Sequence, residues 1–251
     1  MKTVTIKNIT LGTGSPKIIV PLVGKTETEL LEEAKHLLTT DCDLVEWRVD
    51  FFEQVTDFKA TAKMSQKIAE VLNEKPLLLT FRTKKEGGEL AFSDNQYFEL
   101  YETVINEGII DLVDVELFMD DKRVQETIKL AHKKGIKIVM CNHDFDQTPA
   151  KEEIISRLCS MQEKNADICK IAVMPQSSVD VLTLLEATNE MKIKYADRPI
   201  VTMSMGQLGM ISRMSGEVFG SAMTFGAAKK ASAPGQVPVS ELRDILNTLS
   251  M

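Results

Sequence analysis

The chain has 251 residues, 43% of them hydrophobic and 27% charged, and carries a formal net charge of −7. This composition excludes a disordered or collagen-like chain, and the acidic balance argues against a nucleic-acid binder, because neutralising phosphates requires surplus Lys and Arg. The length fits either two average domains or one closed α/β barrel of roughly 250 residues.

Residues 4–11 read as a hairpin, Val4-Thr-Ile against Ile9-Thr-Leu11 around polar Lys7-Asn8, placed to plug the lower end of a barrel. Eight short runs rich in Val, Ile and Leu follow, and each is expected to be a strand: 17–21, 44–49, 77–82, 112–116, 136–142, 168–173, 200–205 and 220–224. Between successive runs there is room for one helix and two short loops. The pattern predicts a single (β/α)8 TIM barrel over 1–251, an α/β fold with no unit spare for a second domain.

Two helices carry clear end signals. In 26–38 the apolar residues Leu30, Leu31, Ala34, Leu37 and Leu38 form one stripe, with Glu27 and Glu29 suited to the N-terminal turn. The helix over 121–134 ends at Gly135, with His132, Lys133 and Lys134 where cations favourably meet the helix dipole, so His132 reads as a capping residue. Cys42, Cys141, Cys159 and Cys169 show no Cys-x-x-Cys spacing and are read as free thiols. With no window near the 18 or so apolar residues of a membrane span, a cytoplasmic protein is expected.

In such barrels the active site forms at the C-terminal ends of the strands, which makes ionisable residues there the first suspects. Glu46 and Arg48 lie two apart, hence on one face of their strand, as a salt bridge across a barrel layer or as part of a site. Arg82 ends the third strand, Asp114 and Glu116 the fourth, and His143 follows the fifth. Lys170 is embedded in the apolar run Ile168-Cys-Lys-Ile-Ala-Val173. Burial disfavours an ammonium, and a neutral amine can attack a carbonyl to give an imine; the competing reading is a structural lysine paired with a carboxylate such as Glu116. His143 is the one histidine of three at the catalytic end, either acid-base catalyst or structural residue, and His36 faces solvent on the first helix. No His cluster supports a metal site. Glu86, beside Gly87 and Gly88, either orients a histidine or belongs to a solvated turn. Residues 225–236 have the small-residue composition of a lid and equally of an ordinary exposed loop.

Taken together, these residues resemble the type I 3-dehydroquinate dehydratases, the imine-forming barrel enzymes of the shikimate pathway. The resemblance covers essentially the whole chain. It is carried by Glu46-Trp-Arg48-Val-Asp50, Thr80-Phe-Arg82 with Glu86-Gly-Gly, Asn142-His143-Asp144-Phe145, Lys170-Ile-Ala-Val-Met-Pro175, Met203-Ser-Met205-Gly, Ser212-Arg213, Gly216 to Ser221 and Ala231-Ser232-Ala-Pro-Gly235-Gln236. It implies that Lys170 is the imine lysine, His143 the acid-base residue and Glu86 its orienter. It also implies that Glu46, Arg48, Arg82, Met203, Arg213, Phe225, Ser232 and Gln236 contact the substrate, 3-dehydroquinate. The reaction gives 3-dehydroshikimate without metal or organic cofactor, since the protonated imine is itself the electron sink. Arg213 suits a planar carboxylate, with Arg48 and Arg82 adding local positive potential. A homodimer is expected by the same resemblance. Pro21 departs from it, standing where some relatives carry a hydroxyl residue, and is left out of the site.

Two other readings remain. A class I aldolase also forms an imine on a sixth-strand lysine, but often grips a phosphate near the last strands, where this sequence shows no Gly-rich nest. A non-catalytic metabolite-binding barrel would have no need of a nucleophile.

Overall fold

The computed structural model describes residues 2–228 and 235–250. Strands β1 (Val4–Ile6) and β2 (Ile9–Leu11) pair antiparallel, with Val4 opposite Leu11, as the predicted hairpin. Then come β3 (Lys17–Leu22), β4 (Leu44–Arg48), β5 (Leu77–Thr80), β6 (Leu112–Glu116), β7 (Lys137–Asp144), β8 (Ile168–Val173), β9 (Ile200–Ser204) and β10 (Met223–Ala227). Each pairs in parallel with the next from β3 to β9, and β10 pairs with β3. The ring closes where the Ala222 amide donates to the Ile200 carbonyl at 2.8 Å. A short β11 (Val237–Pro238) continues from β10 through Gly226 and Ala227.

The two faces of these strands belong to two different cores, which is the direct consequence of the period-two alternation of side chains. Outward residues such as Val45, Trp47, Leu79, Val113, Met140, Ile171 and Val173 pack against the helices in one cluster. Inward residues Ile19, Leu44, Leu78, Leu112, Val139 and Ile168 pack instead on Val4, Ile6 and Leu11 of the hairpin. The hairpin therefore closes the bottom of the barrel, and the first inward level is apolar and buried.

The expected strand limits hold to within one or two residues except at the last. The run over 220–224 was expected to be the eighth strand, but Gly216–Phe219 forms a helical turn and Gly220 ends it at φ +114. That left-handed residue cannot continue into a strand, so β10 starts only at Met223. The first helix spans Glu27–Leu38 with Thr26 and Glu29 forming a reciprocal cap, and a later one spans Asp121–Lys133, with Gly135 at φ +78. His132 differs from expectation: its ring reaches Asp167 Oδ2 at 2.8 Å, the oxygen that also accepts from the Ile138 amide. A nearby carboxylate outcompetes the helix end for the imidazole.

Pro21 sits within β3, beside Glu46, at a level where pairing between β3 and β10 has already ended at Ile19. The missing N–H is tolerated there. All four cysteines are free thiols, and no described helix is long and apolar enough to cross a membrane.

Candidate active site

Two residues above the apolar level, the inward positions change character to Glu46, Thr80, Asp114, Cys141 and Lys170, and two further on to Arg48, Arg82, Glu116, His143 and Ala172. The alternation that buries the core thus stacks the ionisable groups at the C-terminal ends of the strands. They surround a cavity of about 180 Å³, whose wall includes Glu46, Arg48, Arg82, Glu86, His143, Lys170, Met203, Arg213, Phe225 and Gln236. These are all the expected site residues except Ser232, which lies outside the described residues.

Lys170 is 3% exposed. Its Nζ lies 3.5 Å from Asp114 Oδ2 and 4.7 Å from the centre of the Phe225 ring. The carboxylate beside it is Asp114, where Glu116 had stood as the example of such a partner. Glu116 instead accepts from Arg82 Nη1 at 2.9 Å and from the backbone and hydroxyl of Thr83.

Nor do Glu46 and Arg48 bridge each other. Val49–Phe51 forms a single 3-10 turn after β4, which folds Asp50 back so that both its oxygens meet the Arg48 guanidinium at 2.8 Å. Glu46 accepts from Thr80 Oγ1 at 2.9 Å. Arg82 is held by Asp114 at 2.7 Å and Glu116 at 2.9 Å, with Glu86 at 3.7 Å. The positive potential expected from Arg48 and Arg82 is therefore offset by their own carboxylates. Arg213, 2% exposed on the short helix Met210–Met214, is the cation in which burial dominates, drawing its pKa down to about 10.

The histidine is oriented from the loop after β5. Thr83 caps the turn Lys84–Glu86 and Gly87 follows at φ +85, which directs the Glu86 carboxylate inward. Glu86 Oε2 accepts from the His143 amide and meets His143 Nδ1, both at 2.9 Å, while Oε1 accepts from Asn142 Nδ2 at 3.2 Å. The orientation of the Asn142 amide follows from its other end, which accepts from Arg157 Nη1 at 2.9 Å. With Nδ1–H given to Glu86, Nε2 is left as an acceptor. Burial, then the positive charges of Arg82, Lys170 and Arg48, hold the imidazole well below its usual pKa, so it stays neutral. Burial and the neighbouring Glu116 push the Glu86 carboxyl upward, against Arg82 and the Asn142 hydrogen bond.

Phe145 stacks beside His143, ring centres 6.4 Å apart, and lies across Gly87, where a Cβ would meet its ring at 2.5 Å. Glu86, Cys141 and His143 bring three metal-ligating atoms within 4.8 Å of one another. Glu86 and His143 are already bonded together, and burial holds the Cys141 thiol protonated, with Arg82 Nη1 3.0 Å from its sulfur. That donor set suits a hydrogen-bond network better than a cation. Sequence reasoning missed Gly87, Phe145 and Ala172 on the wall and the bridging roles of Asp50, Asn142 and Arg157. All of these except Arg157 stand inside motifs that carry the family resemblance, but nothing in those motifs shows which residue touches which.

A closed barrel with its ionisable cavity at the strand C-termini defines a (β/α)8 enzyme. The chain belongs to the type I 3-dehydroquinase family, whose model matches residues 18–251. It is 58% identical to the 3-dehydroquinate dehydratase of Enterococcus faecalis and 60% identical to that of Listeria welshimeri, each match covering 99% of this chain and 98% of the relative. A type I 3-dehydroquinate dehydratase from Clostridium difficile, crystallised with covalently modified comenic acid, superposes with a TM-score of 0.96 at 53% identity, over 99% of this chain and 98% of that one. A 3-hexulose-6-phosphate synthase at 15% identity and TM-score 0.60 shares the fold alone.

Proposed function

We propose that this chain dehydrates 3-dehydroquinate to 3-dehydroshikimate through a Schiff base at Lys170. The observation that carries the reading is one cavity holding both a buried lysine and a neutral imidazole whose other nitrogen is bound to a carboxylate. Lys170 attacks the ketone, and loss of water from the adduct gives the protonated imine. That cation accepts electrons from the adjacent carbon, so a C–H proton passes to His143 Nε2. The imidazolium returns a proton to the departing hydroxyl, and water then hydrolyses the product imine to regenerate the amine.

Arg213 offers two parallel donors to the substrate carboxylate, which a lysine cannot. Met203, Met205 and Phe225 form the apolar wall, Glu46, Arg48, Arg82 and Gln236 the polar one, and Ser232 is retained as a substrate contact on the resemblance alone. No metal or organic cofactor is required, because the imine supplies the electron sink. The same reading makes 1–251 one catalytic domain, acting in the third step of the shikimate pathway in the cytoplasm as a homodimer; free buried thiols support the compartment.

Borohydride reduction in the presence of 3-dehydroquinate, followed by peptide mass spectrometry, should label Lys170 and leave Lys170→Ala unlabelled. Label on another lysine would overturn the assignment. Ultraviolet detection of the conjugated enone separates dehydration from aldol cleavage.

A further inference from the structure

Asp114 lies beneath the cavity rather than on its wall and is fully buried at the centre of β6. One of its oxygens is fully engaged. Oδ1 accepts from Arg82 Nη2 at 2.7 Å and from the Cys141 thiol at 3.0 Å. The other is different: Oδ2 has no hydrogen-bond partner, and it lies 3.5 Å from Lys170 Nζ. A buried carboxylate oxygen left without a donor is unfavourable unless a charge compensates it, and here the compensating charge is the amine of Lys170.

We infer that Asp114 is the fixed counter-ion of the reacting nitrogen, pairing with the Lys170 ammonium before condensation and with the protonated imine after it. This rests on the Schiff-base reading above. Condensation converts an ammonium and a ketone into an iminium and water: the C=O bond breaks, a C=N bond forms, and two of the three nitrogen protons leave with the oxygen. Net charge at nitrogen is +1 before and after. A single anion held in one place therefore stabilises both ends of the step without moving. Between them the amine is transiently neutral, and His143 Nε2 is the acceptor for the proton it gives up.

The anchoring explains why Asp114 serves as a counter-ion and not as the base. Burial alone would push its carboxyl up, but the charges of Arg82 and Lys170 outweigh that and hold it below the usual range, so it stays ionised. The benefit falls on the step after condensation, because an imine draws electrons from its neighbouring carbon only while protonated. Other titratable groups stand at the same end of the barrel: Glu46 and Arg48 from β4, Arg82 and Glu86 following β5, His143 from β7 and Arg213 on the cavity wall with Lys170, Cys141 of β7 paired beside it, and Glu116 at the end of β6. Among the described carboxylates, only Asp114 comes within 4.0 Å of Nζ.

Asp114→Asn keeps the shape and an Oδ1 acceptor for Arg82 and Cys141 while removing the charge. In the folded variant, borohydride should still trap the Lys170 adduct and KM should stay within a few-fold of wild type. The alkaline limb of kcat should move to lower pH by roughly one to three units, the size of effect of an opposite charge at this range. Removing an anion lowers the pKa of the cation it faced, which sets that sign. Asp114→Glu should restore part of the limb. An alkaline limb unchanged in a folded Asp114→Asn protein would overturn the inference.

If Asp114→Asn does not fold, the wild type decides. The Raman C=N band of its imine with product should shift between H2O and D2O at every pH where the protein stays folded. Loss of that shift where a free alkyl imine loses it would overturn the counter-ion role. A wild type that yields no borohydride adduct at all would instead refute the Schiff-base reading itself.

Discussion

A single oxygen of Glu86 accepts the backbone amide of His143 and meets its ring Nδ1, each at 2.9 Å, so the loop after β5 fixes both where the imidazole sits and which nitrogen faces the cavity. One carboxylate oxygen sets both the position and the tautomer. Glu86→Gln preserves the volume but offers an amide that can donate to Nδ1 and so favour the wrong tautomer. We expect kcat to fall by roughly 10- to 10⁴-fold, the range seen when other histidine-orienting carboxylates are replaced, with KM little changed. Steady-state kinetics check this; a kcat within two-fold of wild type would remove Glu86 from the mechanism.

The pH dependence follows from the direction of the His143 shift. A base works when unprotonated, and a depressed pKa keeps the imidazole unprotonated further into acid. Activity should therefore persist as pH falls through 6.5 and decline only at lower values. An acid limb of kcat centred at 6.5 or above would contradict the buried, cation-surrounded geometry. His143→Ala should retain binding and lower turnover by at least about 100-fold.

Gly87 and Gly135 share a left-handed backbone but differ in surroundings. A Cβ on Gly87 would strike Phe145 at 2.5 Å, whereas one on Gly135 meets nothing within 4 Å. Gly135→Ala should cost about 1–2 kcal/mol of stability, the left-handed penalty alone, and leave kcat unchanged. Gly87→Ala should cost more and also lower kcat, because displacing the Phe145 ring uncovers the Glu86–His143 pair. Thermal unfolding with parallel assays tests the contrast, and equal effects on both measurements would refute it.

Arg213→Lys retains charge but loses the paired donors. With a hydrogen bond to a charged group worth about 1.5–3 kcal/mol, KM should rise roughly 10- to 100-fold while the protein remains folded. A substrate analogue lacking the carboxylate should bind both forms alike. If it distinguishes them as strongly as the substrate does, Arg213 is not the carboxylate site.

Exhaustive dialysis against EDTA should leave kcat unchanged, because the only described cluster of potential ligands, Glu86, Cys141 and His143, is occupied by its own hydrogen bonds. Activity lost on chelation and restored by a divalent ion would overturn this.

The barrel was legible in the sequence because its signals are local. Apolar runs with period-two burial, helical stripes and end signals such as Gly135 each express themselves within a few residues, and their repetition defined the architecture. The same alternation exposed Lys170 as a charge inside an apolar strand, and motif resemblance collected His143, Glu86 and Arg213 around it. Which charge meets which was decided by tertiary structure. Nothing local distinguishes Asp114 from Glu116 as the partner of Lys170, or Asp50 from Glu46 as the partner of Arg48. Those choices depend on strand register, on a one-turn reversal after β4, and on Arg82 drawing Glu116 towards Thr83. Side-chain alternation is a property of one strand, whereas the pairing of Asp114 with Lys170 and Arg82 is a distance between several, which exists only once those strands are assembled side by side.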